Sequence, residues 1–172
     1  MHLHSLRPDS MLYTTHPSPI GELVLATNGQ ALATILFPTE QRGHPQPGWR
    51  RDDALFAHAR AQLDAYFAGE LRTFDLALDL AGTPFQCAVW EALLDIPYGE
   101  TTSYGALATR IGRPKASRAV GSANGSNPLP IVVPCHRVIG ANGDLTGFGG
   151  GLPIKRWLLR HEGALPGTRE LF

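Results

Sequence analysis

Residues 103–128, SYGALATRIGRPKASRAVGSANGSNP, establish how the second half of the chain folds. Ser103 is a typical N-cap for a short helix over 104–110, and the residues Ile-Gly-Arg-Pro that follow predict a tight turn. Pro114 is expected at the first position of another helix, which ends near residues 124–125. Two short helices joined by a glycine-containing turn have the proportions of a helix-turn-helix.

The second of these helices consists of small residues around one arginine, Arg118. A solvated helix face normally carries more Lys and Glu, and a core helix carries more Leu. Small residues let a backbone approach a nucleic-acid groove closely, with Arg118 entering the base stack and Lys115 on a phosphate. The alternative is a poorly amphipathic connector, which this segment taken alone slightly favours.

Downstream, residues 131–138 read IVVPCHRV and place a thiol beside an imidazole. The apolar run 129–133 predicts a buried extended segment ending at Pro134. A thiolate is a strong nucleophile, and a nearby His or Arg lowers the pKa of a thiol. Neighbouring side chains of a strand point to opposite faces, so contact between Cys135 and His136 needs a turn or an intervening water. An inert buried cysteine beside a surface histidine is the alternative.

Two further features follow this motif. The glycine-rich loop 146–151 offers backbone N–H groups, with Phe148 as a stacking wall. A last helix is predicted over 153–162, and it ends at Gly163. Glu162 stands at the helix C-terminus, where a carboxylate is electrostatically unfavourable. Orientation of a histidine would explain it, and a solvated glutamate is the commoner alternative.

Upstream, a helix from Pro84 to about Asp95 is predicted by Thr83 as N-cap and Gln86 as its capping-box partner. The first half of the chain resembles a small antiparallel sheet with one helix. Two β-rich runs, 20–26 and 31–37, flank Asn28-Gly29 and predict a hairpin. A helix is predicted over 53–68, with its stop at Gly69, and an alternating pattern predicts a strand over 73–80.

Composition limits the possible classes of protein. The 172 residues contain 43% hydrophobic and 17% charged residues with no net charge, which suits one or two folded domains and excludes a polybasic protein. Residues 1–84 hold six basic and nine acidic side chains, and residues 85–172 hold nine basic and six acidic ones, so an anionic partner is expected at the second half.

The two cysteines exclude a disulfide framework. No apolar run is long enough for a membrane span or a secretory signal, so we expect a cytoplasmic protein.

The stretch from Phe85 to Gly163 closely resembles the O6-alkylguanine-DNA alkyltransferases. The matching motifs are IPYGETTSYG (96–105), RAVG (118–121), Asn127-Pro128, IVVPCHRVIG (131–140) and GGL with KRWLL and HEG (150–163). Residues 1–80 resemble the N-terminal domain of that family through SPIGEL and AYFAGE. The resemblance implies an α/β, ribonuclease H-like domain over 1–80. It also implies a mostly helical domain with a helix-turn-helix over 81–172, for DNA binding and alkyl transfer.

The resemblance also implies residue roles. Cys135 is the alkyl acceptor, His136 its base acting through a water, and Glu162 the residue that orients His136. Tyr104 rotates the nucleotide and contacts the flipped base, Arg118 fills the vacated stack, and Asn127 is the hinge. Further contacts to DNA come from Ser103, Lys115 and Ala119. The guanine pocket is lined by Pro130, the Val138 carbonyl, Phe148 and the Gly149 N–H.

The implied activity is that of a methylated-DNA–protein-cysteine S-methyltransferase (EC 2.1.1.63), a single-turnover repair of O6-alkylguanine. The resemblance leaves repair of O4-alkylthymine open. The implied partner is alkylated double-stranded DNA, bound through the minor groove by a monomer, with cooperativity left open. We expect no cofactor and no metal, because the zinc-binding Cys/His set of some relatives is missing. Phe148 replaces a Tyr of many relatives, and Gly149 replaces a Ser of some.

Two other classes remain as alternatives. A non-catalytic damage-binding relative keeps the fold but lacks the acceptor, which the intact PCHRV block around Cys135 argues against. A papain-like thiol hydrolase would also use Cys, His and Glu, but it gives no reason for the Arg118 helix.

Overall fold

The computed structural model describes residues 11–39, 43–145, 148 and 150–165. The chain forms two compact units, residues 1–80 and 81–172. Each unit is built around its own apolar core, with Leu23, Leu25 and Leu63 fully buried in the first and Val89, Leu93 and Leu158 in the second.

Over its described residues, the first unit is a four-stranded sheet with one α-helix beside it. The strands are ordered β3-β2-β1-β4. Their bounds are β1 Leu12–Ser18, β2 Gly21–Thr27, β3 Leu32–Leu36 and β4 Arg50–Arg51. The predicted hairpin is confirmed, because β2 and β3 pair antiparallel across a turn in which Gly29 adopts a φ of 100°.

The sheet is mixed: β1, β2 and β3 pair antiparallel, as predicted, but β4 does not. Strand β4 runs parallel to β1, with Leu12 opposite Arg50. Parallel pairing requires a long connection between the two strands, and strands β2 and β3 lie between β1 and β4 in the chain. The hairpin signals of the sequence are local, and they contain no information about where this later segment returns to the sheet.

Residues 73–80 form an extended segment and not the predicted full strand. A single parallel bridge joins Leu78 to Leu32 of β3. Further back, the side chain of Gln62 occupies both backbone groups of Asp75, at 2.8 Å each. A helix side chain thus takes hydrogen bonds that a neighbouring strand would otherwise make, which an alternating sequence pattern does not reveal.

The helix of the first unit is close to the predicted one. A 3-10 turn at Asp53–Phe56 leads into α1, Ala57–Phe67. Ala59, Leu63 and Tyr66 are buried on one face. The predicted stop is confirmed, because Gly69 adopts a φ of 78° and its N–H binds the carbonyl of Tyr66.

In the second unit, the described residues form four α-helices and a short two-stranded parallel pair. These elements are α2 Pro84–Leu93, β5 Thr102–Ser103, α3 Tyr104–Arg110, α4 Ser117–Gly125, β6 Val138–Ile139 and α5 Leu152–His161. The capping box of Thr83 and Gln86 and the N-cap of Ser103 are both confirmed. No helix in the described ranges is long and apolar enough to cross a membrane.

Helices α3 and α4 form the predicted helix-turn-helix, but α4 begins later than expected. Pro114 lies in a turn closed by the Ala116 N–H on the Arg113 carbonyl, and the first residue of α4 is Ser117. Proline is favoured at the second position of a turn as well as at the first position of a helix, so the residue type alone does not separate the two.

Residues 129–133 are buried as predicted, but they are not extended. The Val133 N–H binds the Leu129 carbonyl, and Ile131 adopts a left-handed φ of 74°. The side chain of Asn127 causes this conformation: its Oδ1 accepts from the Leu129 N–H at 3.0 Å, and its Nδ2 donates to the Val133 carbonyl at 2.8 Å. One amide thus replaces the strand partner that an extended run would need.

Candidate active site

The chain makes a turn at Pro134-Cys135, which is one of the two arrangements that would let the Cys135 thiol and the His136 imidazole meet. Pro134 has φ −80° and ψ 64°, and the Cys135 N–H binds the Val133 carbonyl at 2.7 Å, which together form an inverse γ-turn. A 3-10 helix, Cys135–Arg137, follows directly. The chain therefore leaves the strand geometry that would have sent the Cys135 and His136 side chains to opposite faces.

Cys135 is a buried thiol, 4% exposed. Burial raises the pKa of the thiol to about 11, against the lowering effects of a hydrogen bond from Asn127 and the charge of Lys155. At neutral pH the resting group is therefore the thiol, and a base must remove its proton before it can act as a nucleophile.

His136 is a candidate for such a base, because a buried carboxylate fixes its imidazole. Its Nε2 lies 2.7 Å from Oε2 of Glu162, and both side chains are fully buried. Burial lowers the pKa of His136, although Glu162 opposes the shift. Because a carboxylate only accepts, neutral His136 donates from Nε2 and keeps its lone pair on Nδ1. That Nδ1 atom is buried and has no hydrogen-bond partner among the described residues.

Glu162 is a buried, ionised carboxylate and not a solvated helix end. It is the C-cap of α5, as the sequence predicted. Burial alone would raise its pKa, but the hydrogen bonds and charges of His136 and Arg137 outweigh burial and lower the pKa to about 2. Arg137 holds Oε1 at 2.7 Å through Nε and Oε2 at 3.2 Å through Nη2.

The role of Arg137 differs from the one its position in the sequence suggests. Its place two residues after the thiol suggested a charge that lowers the pKa of Cys135, whereas its guanidinium pairs with Glu162. Nη1 also donates to the Ile96 carbonyl at 2.6 Å, and the group lies over the Tyr98 ring. Arg137 therefore fixes the carboxylate that in turn fixes His136.

Lys155 is a functional candidate that the sequence reasoning missed. It is fully buried on α5, and its Nζ donates to the Val138 carbonyl at 2.6 Å. Burial lowers its pKa to about 8, while Cys135 acts in the opposite direction. Lys155 shares a helical face with the buried Leu158 and Leu159, and that spacing is the signal that could have found it. A buried cation here can stabilise a thiolate.

The helix-turn-helix is tied to the active-site segment by strand pairing. Thr102 of β5 pairs with Val138 of β6, and Ser103 pairs with Ile139, so the start of α3 lies beside the strand that follows the thiol. Tyr104 is half-buried, and its ring lies close to α4 at Gly121, where an added Cβ would come within 3.7 Å of it.

Three of the five predicted DNA-contacting residues lie on the outer side of the same motif, whereas Ser103 and Tyr104 are half-buried. Lys115, Arg118 and Ala119 are exposed, whereas Val120 and Ala123 are buried. The small residues of α4 therefore cover both faces, and Arg118 projects from the solvent side.

The predicted pocket residues are only partly described. Pro130 and Val138 are buried, and Phe148 is half-buried, with its carbonyl accepting from the Gly151 N–H at 3.0 Å. Gly149 lies outside the described residues.

Comparison with known proteins gives matches along almost the whole chain. Residues 11–80 match the family model described as 6-O-methylguanine DNA methyltransferase, ribonuclease-like domain, and residues 84–164 match the DNA binding domain of the same family. A Mycobacterium tuberculosis relative named methylated-DNA–protein-cysteine methyltransferase is 55% identical over 150 residues, 87% of this chain and 91% of the relative. A Methanosarcina acetivorans relative of the same name is 52% identical over 155 residues, 90% of this chain and 99% of the relative.

Solved structures agree with this match. The crystal structure of Mycobacterium tuberculosis OGT in complex with DNA has a TM-score of 0.84 and 54% sequence identity, and the match covers 89% of this chain and 93% of that one. Because two models of one family span most of the residues, and relatives more than half identical match 87% and 90% of the chain, the chain belongs to the 6-O-methylguanine DNA methyltransferase family.

Proposed function

We propose that this protein repairs alkylated double-stranded DNA by irreversible transfer of an alkyl group from O6 of guanine to Sγ of Cys135. The observation that carries the proposal is the buried series Cys135, His136 and Glu162, in which a neutral imidazole is oriented by an ionised carboxylate. The names of the relatives and the DNA-bound structure of one of them support the same substrate class.

The geometry suggests how the thiol is activated. The proton of Cys135 passes through a water to Nδ1 of His136, and the resulting imidazolium is stabilised by Glu162. Lys155 balances the charge of the thiolate while it exists. Arg137 keeps Glu162 in place as the proton moves.

The transfer step is a displacement at carbon. Sγ of Cys135 attacks the alkyl carbon in line with its bond to O6, the new C–S bond forms as the C–O bond breaks, and guanine leaves. The Tyr104 hydroxyl donates a hydrogen bond to guanine N3, and the proton taken from the thiol neutralises the departing base. The product is a thioether without a carbonyl for water to attack, so each molecule acts once. The acceptor belongs to the chain, and no cofactor is needed.

Access to the alkylated base requires that the nucleotide leave the duplex. The small residues of α4, among them Ala119, allow close approach to the minor groove, and Arg118 fills the gap in the stack. Ser103 and Lys115 contact the backbone, and Asn127 is the hinge between α4 and the active-site turn.

In the flipped state, the base is held by backbone groups and small side chains. The Val138 carbonyl and the Gly149 N–H read the guanine edge, with Pro130 and Phe148 as walls. O4-alkylthymine carries the same alkyl–oxygen bond and is a second substrate class to include in tests. The whole protein acts as a monomer.

Intact mass spectrometry after incubation with O6-methylguanine duplex DNA tests the proposal. We expect the protein to gain the mass of one CH₂, with the modified peptide containing Cys135. Cys135→Ser should gain nothing while still binding DNA, because a hydroxyl is a far weaker nucleophile at neutral pH. Cys87, the second cysteine, should remain unmodified.

Each of the other outcomes of this experiment would support a different function or a different acceptor. DNA binding without a mass gain would indicate a damage-binding protein, and turnover of an acyl substrate without a retained adduct would indicate a thiol hydrolase. A methyl group on Cys87 would move the acceptor away from the buried site.

A further inference from the structure

Asn124 is a buried polar side chain beside the active site that has no role in the mechanism above. It lies in the last turn of α4 and is 1% exposed. Its Nδ2 donates to the backbone carbonyl of Cys135 at 3.3 Å. Its Oδ1 is buried and accepts no hydrogen bond from any described residue.

This arrangement is energetically unfavourable for a purely structural residue. An unsatisfied buried acceptor costs at least as much free energy as a single neutral hydrogen bond contributes. An apolar side chain would fill the same space without this cost. The amide therefore needs a reason other than stability.

The carbonyl that Asn124 binds belongs to the nucleophilic residue. The Cys135 carbonyl already accepts the Val138 N–H, which closes the 3-10 helix locally. The bond from Asn124 is the second one, and it comes from α4. It attaches the backbone of Cys135 directly to that helix.

This attachment is separate from the one made by Asn127. Asn127 lies just beyond α4 and binds Leu129 and the carbonyl of Val133, the first residue of the inverse γ-turn. Asn124 binds at the last residue of that turn, Cys135, which carries the thiol. Helix α4 and the residues directly after it thus hold the active-site segment at two points.

We propose that Asn124 is a positioning residue, which acts through the Cys135 carbonyl to hold the thiol in place for attack and couples its position to α4. The proposal rests on the proposed function, because attack by Cys135 is the step that it serves. Loss of the amide should slow the transfer step itself and leave the first binding of DNA intact.

The test compares Asn124→Leu, which keeps the branched shape without donor or acceptor, with Asn124→Ala and with the parent. Val120→Ala is the matched control: Val120 is fully buried on the same helix and makes no polar contact with the active-site segment in the described chain. Melting temperature, affinity for methylated duplex, and the single-turnover rate constant at saturating DNA are measured for all four proteins.

We expect both Asn124 variants to bind DNA within about twofold of the parent and to transfer at least about tenfold more slowly at saturation. Asn124→Leu should melt no lower than Val120→Ala, and Val120→Ala should keep the parent rate. Transfer at the parent rate in both Asn124 variants would overturn the proposal. So would a slow rate that Val120→Ala shares, because the effect would then come from stability.

Iodoacetamide labelling of Cys135, followed by peptide mapping, separates this proposal from the proposed function. Without Asn124 the 3-10 helix loses its attachment to α4, and Cys135 should be labelled at least about threefold faster than in Val120→Ala. If the parent takes up no methyl group, the proposed function fails, and the labelling rates still decide whether Asn124 positions Cys135. Equal labelling rates would refute that role.

Discussion

Glu162 shows how much a single buried side chain depends on its partners. A buried carboxylate is costly unless it is paired and hydrogen-bonded, and here one oxygen faces His136 while both oxygens face Arg137. The pairing with Arg137 leaves Glu162 little freedom to turn away from the imidazole. The pairing with His136 and Arg137 also offsets the electrostatic cost of placing a carboxylate at a helix C-terminus.

Glu162→Gln should slow transfer at least about tenfold, because a neutral amide no longer stabilises the His136 imidazolium. Affinity for methylated duplex should change little. Single-turnover kinetics at saturating DNA check this, with Glu91→Gln, an exposed carboxylate on α2, as the control. Equal rates for Glu162→Gln and the parent would remove Glu162 from the mechanism.

The Glu162 side chain also makes the free energy of unfolding depend on pH. The folded pKa of Glu162, about 2, lies below the ordinary value of 4.5, so its contribution is complete above pH 4.5 and is lost as pH falls towards 2. The full contribution is about 3 kcal/mol, at 1.36 kcal/mol for each pH unit. The pKa of His136 is also lowered by burial, and protonation of the unfolded chain below its ordinary 6.5 acts in the same direction.

Urea unfolding between pH 7 and pH 3 measures this loss. The free energy of unfolding should fall more steeply with acid in the parent than in Glu162→Gln, which has no carboxylate to protonate at this position. Parallel curves would mean that Glu162 titrates at its ordinary pKa in the folded protein.

Helix α4 combines two tasks that normally belong to different elements. Its exposed side carries Arg118, and its buried side carries Val120 and Asn124. The Trp90 indole of α2 donates to the Ala123 carbonyl at 2.8 Å, so the C-terminal end of α4 is anchored in the core. A rigid helix can therefore present Arg118 to DNA without losing its register against the active-site turn.

Arg118→Ala should impair transfer from duplex DNA much more than transfer from a free O6-alkylguanine base. Flipping a nucleotide costs a few kcal/mol, and Arg118 offsets part of this cost only when a stack is present. Rates on the two substrates are compared with those of Arg156→Ala, an exposed arginine on α5. A uniform loss on both substrates would instead indicate that Arg118 supports the fold.

In the molecule as a whole, the proposed acceptor lies in the buried interior of the second unit. Cys135 is 4% exposed, and the residues on both sides of it, Pro134 and His136, are also buried. Interiors packed at this density respond to an added methyl group by strain. Two asparagine side chains connect the active-site segment to α4 and the residues after it, so we expect strain at the thiol to reach the helix-turn-helix.

Methylation of Cys135 should therefore lower the melting temperature and weaken DNA binding. Overpacking of a core typically costs 1–3 kcal/mol. Unmodified and fully methylated protein are compared by thermal melting and by DNA titration at one salt concentration. A methylated form that melts no lower and binds DNA as tightly would refute the coupling, and transfer to Cys135 could still occur.

Features that depend on a few neighbouring residues were predictable from the sequence. The caps at Thr83 and Ser103 and the stop at Gly69 each involve partners within four residues, so residue type and spacing were sufficient. The family, and with it the candidate roles of Cys135 and His136, followed from contiguous motifs.

Other features depend on partners far along the chain. Residues 129–133 have an apolar pattern suited to a strand, and they form a turn because the Asn127 amide takes their hydrogen bonds. The pairing of Arg137 with Glu162 spans 25 residues, and the burial of Lys155 under the Val138 carbonyl spans 17. Local patterns describe how a segment can fold, whereas burial and ion pairing depend on which segments pack together, because desolvation and charge act through space and not along the chain.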